Sequence, residues 1–413
     1  MFVSCERVFN PILEKFPVVV LSSNDGCAIA RSNEVKALGI KMGDPYFKIS
    51  NICEKNGVVV MSSNFSLYCD MSMRFMSCLS ENAPAVEQYS IDEMFVDLSG
   101  LSGDLGKSCH VLRKTVKKWT GLPVSFGTGP TKTLAKLANR LAKKSAAADG
   151  VIDLTGHPGW VERALAKTAV QDVWGIGKAS AEKLNAIGIS DALALRGLDD
   201  RRVRQLLGIG GLKTVQELRG VSCHTLETIP DTRQSCMVSR SFGEPTANID
   251  DIRDAITLFA NRASEKLRNE GLVAGNLTVF ADTNRFRRDL PQRHLSVSAR
   301  LYPPTSDGLK IVKAAARTLE RGWEEGPWLY VKAGVMMSDI VGAGAVPADL
   351  FTLTEKPSTL MAAVDRLNQR YGRETVSLGL HLKEATWRSR AERLSPDYTG
   401  CWSDIPVALS RAG

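Results

Sequence analysis

Ser90-Ile91-Asp92-Glu93 sets two carboxylates side by side between apolar-alternating runs, the second being Met94-Phe95-Val96-Asp97-Leu98. On a regular strand, neighbouring side chains point to opposite faces. Two acids sharing one task therefore need a turn or bulge between the runs. A pair of hard oxygen donors at such a break suits divalent-metal phosphoryl transfer, with Asp92 and Glu93 as catalytic Mg2+ ligands. An exposed turn carrying two solvated acids has the same local sequence, so the surrounding residues must decide.

Cations follow closely. Residues 101–150 hold ten Lys/Arg against two acids, Asp104 and Asp149, a local excess equal to the +8 net charge of all 413 residues. Within it, Lys132, Lys136, Arg140 and Lys144 recur every four residues, while Leu134, Leu137, Ala138 and Leu141 form an apolar stripe. Gly127-Thr128-Gly129-Pro130-Thr131 supplies a flexible entry to this helix. The basic stripe would hold a triphosphate or a nucleic-acid backbone, or else is the solvated face of an amphipathic helix. Arg31 and Lys36, at another turn–helix junction, allow the same two readings.

Val173-Trp174-Gly175-Ile176-Gly177-Lys178 is more specific. Gly175 and Gly177 let backbone N–H groups approach a phosphate, and a helix starting at Lys178 adds the positive end of its dipole. This is a helix-hairpin-helix pattern, a DNA-backbone clamp indifferent to sequence. Leu207 to Leu212 looks like a degenerate second copy. Arg285, Arg287 and Arg288, on a loop or strand edge further on, would suit DNA phosphates.

The length allows two to four domains. Hydrophobic residues at 44% and charged residues at 24% mark an ordinary globular protein. No stretch reaches the ~18–20 consecutive apolar residues of a membrane span, and the N-terminus has no secretory pattern. The nine cysteines are scattered without a Cys-x-x-Cys pair. That argues against a zinc site and for reduced thiols in a cytoplasmic protein.

The elements that must position these groups follow from periodicity. Strands are expected at 18–21, 27–30, 58–61, across 86–98, and at 124–127. Helices are expected at 33–38, 65–79, 107–119 and 131–144. Residues 160–230 read as small helices with glycine breaks. Residues 235–340 read as a sheet with strands at 277–280, 294–301 and 329–335, carrying helices at 250–270 and 309–325 on one face. A Gly/Ala/Pro-rich linker covers 342–360, and the tail holds one amphipathic helix. The fold class is α+β and multidomain.

Together these stretches resemble the Y-family of DNA polymerases, and within it the UmuC type, the catalytic subunit of the bacterial mutagenic polymerase V. The likeness rests on Val18 to Cys27, Ala30 to Gly39, Lys41 to Pro45, Tyr89 to Glu93, Lys132 to Asn139, Val173 to Gly177 and Ser239 to Gly243. Leu394-Ser395-Pro396 with Tyr398-Thr399 resembles that type's end. The resemblance implies a right hand: palm at 1–15 and 76–160, fingers at 16–75, a helix-hairpin-helix thumb at 161–230, a little finger at 235–341, then linker and tail at 342–413. It implies error-prone translesion synthesis in SOS repair and mutagenesis, by template-directed nucleotidyl transfer with two Mg2+ ions on damaged primer–template DNA.

By the same resemblance Lys36 and Lys143, with Arg31 nearby, contact the incoming dNTP. Phe2 is the steric gate against a 2′-hydroxyl, and small residues around Asn24 to Ala28 cover the nascent base pair. Gly175, Gly177, Lys178, Arg240, Arg285 and Arg287 are the expected DNA contacts. A UmuD-type dimer and RecA are implied partners. Pro347-Ala348-Asp349-Leu350-Phe351 matches a sliding-clamp peptide only in its Leu-Phe end.

The family also has a first strand with a metal-binding Asp about five residues before the gate. This chain opens Met1-Phe2-Val3-Ser4-Cys5-Glu6, which matches the helix after that strand. The expectation is a hand whose first palm strand is missing. Either the start is misplaced and the parent is active, or the chain is an N-terminally truncated, non-catalytic DNA-binding relative. A helix-hairpin-helix glycosylase leaves Asp92-Glu93 and the 132–144 helix without a role.

Overall fold

The computed structural model describes residues 1–101, 103–156, 158–228, 232–346, 359–372, 374–378 and 387–407. Helix α1 (Phe2–Phe9) leads into β1 (Val18–Leu21), which forms an antiparallel hairpin with β2 (Ala28–Arg31) and pairs in parallel with β3 (Val59–Ser62). All four β1 residues are buried because both faces of the strand are covered. Val18 and Val20 enter one apolar core with α4 (Phe65–Glu81) and α5 (Leu105–Thr120). Val19 and Leu21 enter a second with α2 (Asn33–Ala37) and α3 (Tyr46–Lys55). The two faces of one short strand thus join two small cores.

A hairpin of β4 (Ala85–Gln88) and β5 (Met94–Asp97) stands apart from a parallel pair, β6 (Phe126–Thr128) and β7 (Val151–Asp153). Helix α6 (Lys132–Lys144) lies directly on β6. A Cβ at Gly127 would sit 2.0 Å from the Asn139 backbone nitrogen, so only glycine allows this approach. Thr131 caps α6 by accepting from the Leu134 N–H. Leu134, Leu137 and Ala138 bury into the helical core of α7 (Pro158–Ala166), α8 (Lys178–Ala186), α9 (Ala192–Arg196) and α10 (Asp200–Leu218). Each buried leucine contributes roughly 1.5–3 kcal/mol, which fixes the rotation of α6 and so the direction of its cations.

The second half is one antiparallel sheet in the order β10–β9–β11–β8, formed by β8 (Ser235–Thr246), β9 (Leu272–Thr283), β10 (His294–Thr305) and β11 (Tyr330–Gly342). Helices α11 (Ile249–Asn269) and α12 (Gly308–Gly322) cover one face with a large apolar core. Sequence patterning misses β8. As an edge strand it buries only Cys236, Val238, Phe242 and Thr246 and tolerates Gly243 and Pro245, which weaken the strand signal. It also misses α3. A last helix, α13 (Thr359–Tyr371), carries the predicted amphipathic pattern. No helix is long and apolar enough to cross a membrane among the described residues.

Candidate active site and nucleic-acid interface

The break between β4 and β5 is a turn that carries both acids. The Tyr89 and Ser90 N–H groups donate to the Glu93 carbonyl at 3.2 and 3.1 Å. The Ser90 hydroxyl donates to Asp92 Oδ1 at 3.0 Å. On the core side Ser72 Oγ donates to the Ile91 carbonyl at 2.5 Å, and Ile91 packs on the α4 core. With Ile91 anchored inward, Asp92 is left exposed and Glu93 partly exposed. Asp92 and Glu93 line a cleft of about 810 Å3 together with Asn33, Lys36, Lys132, Lys136 and Lys143.

Three cations of α6 therefore face the acids, and each meets a partner. Lys136 Nζ lies 2.9 Å from Glu93 Oε2, and Lys143 Nζ lies 3.7 Å from Glu93 Oε1. Lys132 is buried against Glu87 at 2.5 Å and donates to the Thr225 carbonyl at 2.7 Å. Arg140 pairs instead with Asp172, away from the cleft. The four-residue stripe is thus not one open phosphate track. Lys143, outside that stripe and half exposed, is the α6 cation most available at the acids.

Sequence reasoning missed the groups that hold these lysines. Lys136 Nζ lies 3.9 Å above the Tyr89 ring, with Phe95 and Trp174 at 5.7 and 5.6 Å. Trp174 Nε1 donates to Tyr89 Oη at 3.0 Å, which ties the 173–177 segment to the acidic turn. The fully buried Glu217 carboxylate accepts from the Thr133 N–H and hydroxyl and from the Cys223 and His224 N–H groups, at 2.9 to 3.1 Å. These partners lie far apart in sequence and carry no periodic signal.

Phe2 stacks on Tyr68 with ring centroids 4.4 Å apart and an interplanar angle of 10°. Tyr68 Oη donates to the buried Glu6 at 2.5 Å. Burial raises the Glu6 carboxyl above its ordinary value, and burial likewise pushes the neighbouring Cys5 thiol up to about 12. Arg31 donates to the Ile40 carbonyl at 2.9 Å and does not line the cleft.

Gly175 adopts φ +88°, and Gly177 caps α8, whose first residue, Lys178, is almost fully exposed. The second glycine hairpin lies within α10, where Gly208 is non-helical at φ 71°. Arg240 lies on edge strand β8. Arg285 and Arg287 lie in the β9–β10 loop. Arg287 is held by Asp289 with contacts of 2.6 to 3.0 Å, which keeps the Asp289 carboxyl at about 2. Leu350 and Phe351 lie outside the described residues.

Residues 1–140 match the model of the impB/mucB/samB family, and residues 233–350 match that family's C-terminal domain. Residues 358–408 match a domain of unknown function. The chain is 41% identical to Protein ImpB of Salmonella typhimurium over 98% of this chain and 97% of that one. It is 42% identical to Protein UmuC of the same species, with the same two coverages. Among solved structures it superposes on a Y-family DNA polymerase chimera of Dbh and Dpo4 with a TM-score of 0.64. The sequence identity there is 22%, over 82% of this chain and 96% of that one. The architecture is the right hand of that polymerase fold. The chain belongs to the impB/mucB/samB family and is a Y-family DNA polymerase of the UmuC type.

Proposed function

We propose that this chain performs error-prone, translesion DNA synthesis in SOS repair and mutagenesis, copying past damaged bases by template-directed nucleotidyl transfer. The observation that carries this reading is the cleft in which Asp92 and Glu93 face Lys36, Lys136 and Lys143. Two carboxylates at a turn are the donor chemistry Mg2+ takes when substrate phosphates complete its shell. Bound there, Mg2+ would activate the primer 3′-hydroxyl and stabilise charge on the departing pyrophosphate.

The chain's own residues do the positioning. Lys143 and Lys36 attract the triphosphate, and Phe2, braced by Tyr68, confines the sugar. Gly175, Gly177 and Lys178 clamp the DNA backbone, while Arg240 and Arg285 reach phosphates further along it. The thumb (161–230) and little finger (235–341) assignments draw support from two of the apolar cores, with α6 shared between palm and thumb, while a third core joins the proposed palm (1–15 and 76–160) to β1 and α4 of the proposed fingers (16–75).

The grouping of both acids with Lys36, Lys136 and Lys143 in one cleft favours an active palm over a DNA-binding relative without catalysis. Primer extension past an abasic site tests it, using this chain and Asp92→Ala. A UmuD-type dimer and RecA, the partners implied by kinship, are included. DNA binding with no incorporation by any form would leave only the non-catalytic reading.

A further inference from the structure

Residues 387–398 lie within the domain of unknown function, and they walk in sequence order from the little finger to the fingers and then to α1. Trp387 is buried in the α11–sheet core against Phe242 and Phe259, and its Nε1 donates to Asp254 at 3.0 Å. The following backbone presses on β8 so closely that a Cβ at Gly243 would sit 2.5 Å from the Arg388 carbonyl. Arg390 pairs with Glu244 of β8.

The next contacts belong to the fingers. Asn24, held at φ 62° in the loop between β1 and β2, accepts from the Arg390 N–H at 2.8 Å. Its amide donates to the Ser241 and Phe242 carbonyls at 3.1 and 2.8 Å. One side chain at the finger tip thus bonds β8 and the tail together. Arg393 N–H donates to Ser62 Oγ at 3.0 Å, and Ser62 N–H returns a bond to the Arg393 carbonyl at 2.9 Å.

The walk ends at the gate. Buried Asn64, which caps α4, donates to Ser395 Oγ at 3.0 Å. Ser395 Oγ donates to Glu6 Oε1 at 3.2 Å, the oxygen that also accepts from Tyr68, on which Phe2 stacks. Tyr398 then stacks on Phe9 at 5.0 Å. Arg390 and Arg393 are exposed and sit in no apolar core, so their contacts are not needed to bury surface.

We infer that residues 387–398 are a positioning strap for synthesis. The strap fixes the little finger on the fingers through Asn24, and it braces the Phe2–Tyr68 stack through Ser395 and Glu6. It acts through these residues and does not touch the reacting atoms. This inference deepens the polymerase reading, since Asn24 and Phe2 border the incoming nucleotide only under it.

Distance measurement and kinetics on the full chain test it together. Non-natural amino-acid labels replace the exposed Phe47 in the fingers and Phe286 in the little finger. Wild type should give one narrow distance distribution. Arg390→Pro removes the N–H bonded to Asn24 and should broaden that distribution with the melting temperature unchanged. In single-nucleotide incorporation, Arg390→Pro should raise KM for the correct dNTP about five- to tenfold with little change in kcat, a small misplacement by the standards of active sites. Ser395→Ala, at the other end, should raise ribonucleotide relative to deoxynucleotide incorporation, a ratio that general destabilisation would not move. Narrow distributions in both wild type and Arg390→Pro overturn the strap. Broadening with unaltered KM and sugar discrimination overturns its positioning role. Should no form of the chain extend primers, the polymerase reading fails separately, and the distance arm still decides the strap.

Discussion

Lys136 Nζ lies 2.9 Å from Glu93 Oε2 and 3.9 Å above the Tyr89 ring. The acid proposed as a metal ligand is thus already neutralised by a lysine that an aromatic cage holds in place. A divalent ion at Glu93 has to compete with that ammonium. Lys136→Met is expected to lower the half-saturating Mg2+ concentration in primer extension. The gain is about two- to fivefold, because a pair in which Glu93 is 40% exposed is worth at most ~1 kcal/mol. A metal titration of both proteins reads it directly, and an unchanged or higher requirement contradicts the competition.

Asp92→Asn and Glu93→Gln should each cut nucleotide incorporation by about 10²–10⁴-fold, because ligands that act as a unit fail together. Primer–template affinity should stay near wild type. Lys178→Ala should do the reverse, weakening DNA binding uniformly across sequences and reducing the salt slope by about 0.9 in log–log terms. Fluorescence anisotropy over a salt series separates the two classes.

Glu217 is the buried hub between α6 and the loop after α10. Glu217→Ala leaves the N–H groups of Thr133, Cys223 and His224 without their acceptor. Each buried donor left unsatisfied should cost about 1–3 kcal/mol, which chemical denaturation would register as a lower midpoint. Retention of the wild-type midpoint would show that water replaces the carboxylate.

The pH dependence of stability should carry a contribution from Glu6. Burial raises its folded-state pKa, so the native state binds the proton more tightly than the unfolded chain does. Stability is then lost as pH rises from the unfolded value through the folded one, and regained on acidification across the same window. Comparing wild type with Glu6→Gln at a series of pH values isolates this term. The wild type should gain relative to the variant as pH falls through that window, and a flat difference would contradict the assignment.

Gly127→Ala should abolish soluble expression or lower the melting temperature severely. The new methyl meets the backbone of Ala135, Ala138 and Asn139 at 2.0 to 2.6 Å, and none of these can move without unseating α6 from β6.

Much of the fold was legible because burial imposes a period. The β1 run Val18–Leu21, the α4 set Leu67, Met71, Phe75 and Cys78, and the leucine stripe of α6 all announce their elements and their buried faces. The acid pair was legible as a turn, since one strand face cannot hold adjacent side chains. Strand β8 was not, because its edge position relaxes the demand for β-formers. The partners of the cations were not either. Glu87 lies 45 residues from Lys132, and Glu93 lies 43 residues from Lys136.

By itself the sequence determined the kinship, the α+β class, the acidic turn and the glycine hairpin at Gly175-Ile176-Gly177. These depend on local conformation and on residue type, which neighbours along the chain dictate. Tertiary structure alone decided that Lys132 is locked to Glu87 while Lys143 stays half exposed beside Glu93. It also decided that Trp387, Asn24 and Ser395 link three parts of the hand. Charge pairing and hydrogen bonding act over a few ångströms of space, and only the packing of the helices and sheets brings those residues within that reach.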